Sequence, residues 1–195
     1  MLSNLLERLK TAPPRGYRPG ETLRRALSDL RGVLQEAETE GTGAAIRIGG
    51  IACTVRERVE EQFLMHVVSL DFLMHVAIPA VPALIRIHNT GIVTRTGIAC
   101  SVAAAQRQEV AAVTRQMEQD RTLEAALTRL AFRRCEITGS PGGWSVRIEP
   151  YGLSEVVNRM PPLRRYIGLG DGEAQALAAA LVALHGILSP AAAAA

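Results

Sequence analysis

"VRERVEEQFLMHVVSLDFLMHVAI", residues 55–78, decides the fold. Just upstream, Ile51, Cys53 and Val55 begin a period-two row that Val59 extends, and Thr54, Arg56, Arg58 and Glu60 fall on the other side. That alternation is the mark of a half-buried strand. Glu57 interrupts the apolar row. Helical spacing also fits part of the stretch, because Val55, Val59, Phe63 and Val67 recur every four residues and "EEQFLMH" contains good helix formers. Read as one long helix, the segment would give a mostly helical protein. Read as strands, it gives an α+β protein. The strand reading is preferred over 63–78. There "FLMHV" occurs twice, at 63–67 and 72–76, and reads as two arms of a hairpin across "VSLD".

Residues 63–85 are apolar enough in length to span a bilayer. Asp71 at their centre, with Pro79 and Pro82 in the far half, favours a buried sheet core, since a carboxylate within hydrocarbon is costly.

Working outward, "TLRRALSDL" (22–30) and "TLEAALTRL" (122–130) match at an offset of one hundred. The same offset pairs "GTG" (41–43) with "PGG" (141–143) and "AIRI" (45–48) with "SVRI" (145–148). Helix, turn and strand agree in one register. The expectation is a pseudo-duplication: two related helix-plus-hairpin units whose antiparallel strands form one or two curved sheets, with helices on one face. By this logic "GVLQEAET" (32–39) is a strand, although propensity alone gives helix. The proposed division is a short helix and Pro/Gly linker (1–20), a first α+β unit (21–119), a second (120–188) and a tail (189–195), together one globular domain. Residues 103–119 read as helix, Asp120 caps the next helix, and Asp171 caps a final alanine-rich helix over 172–188.

The totals set bounds. A chain of 195 residues with 48% hydrophobic and 21% charged residues can bury a sizeable core and is not a disordered type. Its 22 basic and 19 acidic residues leave a formal charge of +3, too small an excess for a nucleic-acid footprint. Three cysteines, Cys53, Cys100 and Cys135, form neither a disulfide framework nor a metal knuckle, which fits a reducing, cytoplasmic setting.

Seven residues stand out as candidate binding residues: Glu57, His66, His75, Tyr17, Arg164, Arg165 and Tyr166. His66 and His75 would meet across the expected hairpin, but lack the close spacing of metal ligands, so structural roles are favoured. Glu57, set in an apolar row, is either an inward carboxylate with a raised pKa or one that escapes to water or an arginine at a bulge or edge. An enzyme of hydrolase type would use Glu57 with His66 or His75. "PRGYRPG" (14–20) and "PPLRRYI" (161–167) would supply a basic, aromatic-edged patch for an anionic surface or nucleic acid if they came together; separate solvated loops are the blander outcome. "GLGDGE" (168–173) lacks the spacing of a phosphate loop. No catalytic set, metal site or cofactor is indicated. The leading expectation is a non-enzymatic binding module for a protein partner or an apolar small molecule. Met65, Met74, Phe63 and Phe72 would line its pocket, unless they simply fill the core. Nucleic acid is disfavoured, and an oligomer is left open.

At "GYRPG" (16–20), "VRERVEEQFLMH" (55–66) and "NRMPPLRRYI" (158–167) the chain resembles a proteobacterial family, domain-of-unknown-function family 3156. The resemblance implies a soluble bacterial protein and transfers no catalytic residue.

Overall fold

The computed structural model of the chain describes residues 14–91 and 96–189. The expected helix at 1–10 lies outside them. Residues 55–78 are extended. β3 (Ile51–Glu61) and β4 (Met65–Val76) are long antiparallel partners, and they anchor a ten-stranded sheet. The "FLMHV" repeat is not a hairpin. β4 runs straight through "VSLD", which has no Gly or Pro to break it and whose Asp71 is held by Arg147 of the adjacent strand. The real turn is at Gln62–Leu64 and takes in the first two residues of the repeat's first copy.

The other strands are β1 (Leu34–Glu40), β2 (Gly43–Ile48), β5 (Ala83–Thr90), β6 (Gly97–Val102), β7 (Phe132–Ser140), β8 (Gly143–Pro150), β9 (Ser154–Arg159) and β10 (Pro162–Ile167). Their order is β1-β2-β3-β4-β8-β7-β5-β6, every pair antiparallel and the sheet unclosed. β9 shares the free part of β4 and carries β10 outside it. β8 and β9 therefore lie end to end along β4. Between the pairs Phe72↔Ile148 and Val68↔Glu155 the second chain has three extra residues, so a bulge separates the two strands. Leu153 in that bulge has φ 58 and is fully buried.

Among the described residues four α-helices pack on one face: α1 (Glu21–Asp29), α2 (Ala111–Gln119), α3 (Arg121–Arg129) and α4 (Glu173–Leu188). Period two sorts the strands. Ile46 and Ile48, Cys53 and Val55, Leu70 to Val76 at even positions, Ile85 and Ile87, Cys135 and Ile137, and Val146 and Ile148 all point under the helices. Leu23, Leu123, Leu127, Leu177, Leu181 and Leu184 meet them from above. Phe72 and Met74 fill this core. Phe63 does not line a pocket either; it stands in solvent.

The helix–strand–turn–strand order recurs at the expected offset: α1, β1 and β2, then α3, β7 and β8, with Gly43 and Gly143 opening the second strand of each hairpin. A common origin of the two units is a proposal that this order supports. The units do not form separate bodies, because β7 and β8 insert between β4 and β5.

Two local expectations are revised. Residues 104–106 form a short 3₁₀ turn and α2 begins only at Ala111. The cap of α4 is Gly172 at φ 74, not Asp171. The main-chain oxygen of Asp171 instead accepts from Arg129, while the Glu173 carboxylate takes Gly170 N and Ala131 N.

Candidate functional site

One face of the sheet carries no helix. Residues that period two turns away from the core assemble there into rows. One row runs Ala45, Thr54, Leu73, Arg147, Glu136 and Arg86 across six strands. Next to it lie His75, Ser145 and Thr138 on one side and Arg56 and Asp71 on the other. All of these except Arg86 and Asp71 line a hollow of about 640 Å³, which Thr54 and Arg56 also share with a neighbouring hollow reaching Glu38 and Glu40 on β1.

Charges on this face are positioned by one another. Arg147 donates to both oxygens of Asp71, Nε at 2.9 Å and Nη2 at 2.5 Å, a bidentate geometry that fixes the guanidinium plane. The Asp71 hydrogen bond raises the Arg147 pKa. Arg56 is exposed and has no ion pair among the described residues. His75 is exposed, its Nδ1 3.4 Å from Ser145 Oγ. At one end of the face Glu149 is fully buried beneath Arg58, Arg133 and Arg134, at 3.5, 3.3 and 3.5 Å. A β-bulge makes this possible. The β7 register shifts between Phe132 and Arg134, so two consecutive arginines serve one carboxylate. Glu60 joins them, and its hydrogen bond from Arg133 holds its carboxyl below the usual range.

The residues singled out from sequence lie mostly elsewhere, at the junction of α1 with β3, β4, β9 and β10. Glu57 has the parity of the helix side and reaches the start of α1. There it accepts from Leu23 N and Gly20 N, both at 2.9 Å, and from Tyr17 Oη at 2.7 Å. Gly20, the residue at the cap position, has no side chain to do this. Glu57 is thus the N-cap of α1, supplied from a strand. Burial first, then the Glu57 bond, pushes the Tyr17 pKa well up. His66 is fully buried, set edge-on to the Tyr17 ring at 6.4 Å, and neither ring nitrogen has a hydrogen-bond partner. Desolvation, aided by Arg159 and Arg164, lowers its pKa.

"PRGYRPG" and "PPLRRYI" lie against each other. Arg164 donates to Gly16 O and pairs with Glu21 and the buried Glu155. Tyr166 Oη donates to Asp29 at 2.9 Å, and its ring lies under the Arg25 guanidinium at 5.7 Å. Arg165, one residue over on β10, is exposed on the opposite side. His75 does not join this group, because its odd position on β4 turns it to the helix-free face. His66 and His75 are therefore on opposite sides of one strand, not across a hairpin.

The cysteines are free thiols. Burial pushes Cys53 up to about 11 and Cys100 up to about 12, so neither is a thiolate nucleophile near neutral pH.

The family model for a protein of unknown function, DUF3156, matches residues 28–188. The chain belongs to the DUF3156 family. The match covers Glu57, His66, the whole helix-free face and β10, while "GYRPG" precedes it. No curated protein and no solved structure matches the chain. No helix among the described residues is long and apolar enough to cross a membrane.

Sequence reading missed the hollow. Its members were visible singly: Thr54 and Arg56 opposite Cys53 and Val55, and Ser145 and Arg147 opposite Val146 and Ile148. Alternation gives each side chain a face. Only the pairing of β4 with β8, whose partners are 68 to 76 positions apart in sequence, brings them together.

Proposed function

We propose that this DUF3156 protein is a non-enzymatic binding module that takes an acidic segment of a protein partner across its helix-free sheet face. The observation that carries the reading is the hollow of about 640 Å³ in which Asp71 already holds the Arg147 guanidinium beside the unpaired Arg56. Asp71 orients Arg147, and Arg56 and His75 stand ready beside Thr54, Thr138 and Ser145. An unpaired guanidinium next to an oriented one complements a carboxylate. The hollow spans several strands and is open along its length, which suits an extended segment better than an enclosed small molecule.

The hydrolase reading has less support. Glu57 already accepts three hydrogen bonds, His66 is sealed from solvent, and His75 is on the other face.

Native mass spectrometry of the freshly purified chain, beside an Arg56→Glu/His75→Ala variant, tests the proposal. The expected result is a co-purifying polypeptide on the unaltered protein that the variant loses. An apo species from both, or the same adduct on both, would sink it, as would a small molecule bound in place of a polypeptide.

A further inference from the structure

Two neighbouring hairpin ends hold four large apolar side chains in water: Phe63 is 90% exposed, Leu64 56%, Met160 80% and Leu163 58%. Phe63 and Leu64 occupy the loop joining β3 to β4. Met160 is in the loop joining β9 to β10, and Leu163 follows just inside β10. The loops are side by side: Arg159 N donates to Leu64 O at 2.8 Å, and Arg159 Nη1 reaches Phe63 O at 3.5 Å. Isolated exposed apolar residues are ordinary, but a cluster on adjoining tips is not.

Beside the tips is a hollow of about 470 Å³ lined by Arg15, Arg18, Arg159 and Arg164, with Leu163 at its rim. The nearby carboxylates Glu21, Glu61 and Glu155 are each paired with arginine. Arg15 is exposed and has no ion pair among the described residues, and the Arg18 side chain remains 68% exposed beside Glu21.

We propose that this end of the sheet docks on an anionic phospholipid surface, with Phe63, Leu64 and Met160 entering the interfacial layer and Arg15 and Arg18 meeting headgroup phosphates. The surface is independent of the helix-free hollow. Its shape selects the occupant. The apolar groups are on projecting tips, which penetrate a fluid interface; a protein partner would need a matching groove. Three of the four are aliphatic, so they offer no stacking platform for bases. Basic residues next to inserted apolar ones combine the two attractions that peripheral membrane binding uses.

Sedimentation of the full chain with phosphatidylcholine vesicles and with equimolar phosphatidylcholine–phosphatidylglycerol vesicles provides the test. Binding is expected on the mixed vesicles alone, and salt should weaken it. Phe63→Ser/Met160→Ser should weaken it about tenfold or more, and Arg15→Glu/Arg18→Glu by a similar factor. Circular dichroism melts of both variants should match the unaltered protein, since all four positions are exposed. The proposal is overturned by no binding to the mixed vesicles, or by undiminished binding of the serine variant. Binding to duplex DNA in place of vesicles would also overturn it, as would a dimer that the serine substitutions dissolve.

Discussion

The unit α1–β1–β2 ends at the rim of the sheet, and the unit α3–β7–β8, one hundred residues later, sits at its centre. The two share an element order and little else. β1 has one neighbour, and "LQEAETE" is solvent-facing almost throughout. β7 has neighbours on both sides, and "FRRCEITGS" alternates buried with polar positions. The difference teaches that helix spacing and turn glycines write the local shape, while the residues between them write its address. Glu36, Glu38 and Glu40 suit an edge, where charge discourages a further strand from adding. Cys135 and Ile137 suit a strand with core beneath it.

The helices show the same division, and equivalent leucines give the largest expected effect. Leu127 of α3 is fully buried, while Leu27 of α1 is only half-buried. Leu127→Ala should cost about 3 kcal/mol in urea unfolding, and Leu27→Ala about half as much. Equal losses would mean that the two helices are equally embedded and that the rim–centre contrast has no energetic content.

Caps come next in size. Asp120 caps α3 locally, its carboxylate 2.7 Å from Leu123 N, whereas α1 depends on Glu57 from another element. Asp120→Ala should cost about 1 kcal/mol. Glu57→Ala should cost about 2 kcal/mol, because it also leaves Tyr17 Oη and Gly20 N without their acceptor. Amide exchange separates the two cases. The first variant should open α3 alone, and the second should loosen α1 together with residues 14–20. A Glu57 variant that leaves α1 protected would remove the remote-cap account.

These caps also mark what the sequence could and could not disclose. Asp120 is legible because its partner is three residues away. Glu57 was noticed as a misfit in an apolar row, but its role depends on where α1 lands, which no local pattern contains. The strand at 51–60 was legible from period two, and the strand at 32–39 from the parallel with the second unit. The repeated "FLMHV" misled because similarity was taken for symmetry about a turn. Likewise the clustering of Tyr17, His66, Arg164 and Tyr166 follows from β4 pairing with β9, a contact between residues about ninety apart.

His66 gives the smallest expected effect and the most specific one. Its ring is buried beside Tyr17, faced by Arg159, Arg164, Glu155 and Glu61. Desolvation holds its folded pKa below the ordinary 6.5. The unfolded chain therefore binds more protons than the folded one as pH falls through 6.5, and stability must fall with it until the folded pKa is passed. Glu21 and Glu60 are shifted downward from 4.5, so their contributions are lost only at still lower pH. Urea midpoints measured across the interval from pH 7.5 down to about 5 should decline for the unaltered protein. His66→Met keeps a similar volume without a titrating group, and its midpoints should stay level over the same interval. The second unit has no histidine at the equivalent place, since position 166 is Tyr166, whose pKa is raised by burial and by Asp29. Acid loosening should accordingly begin at α1 and β4 while α3 remains protected from exchange. Simultaneous loss of protection in both helices would show that the imidazole is not its trigger.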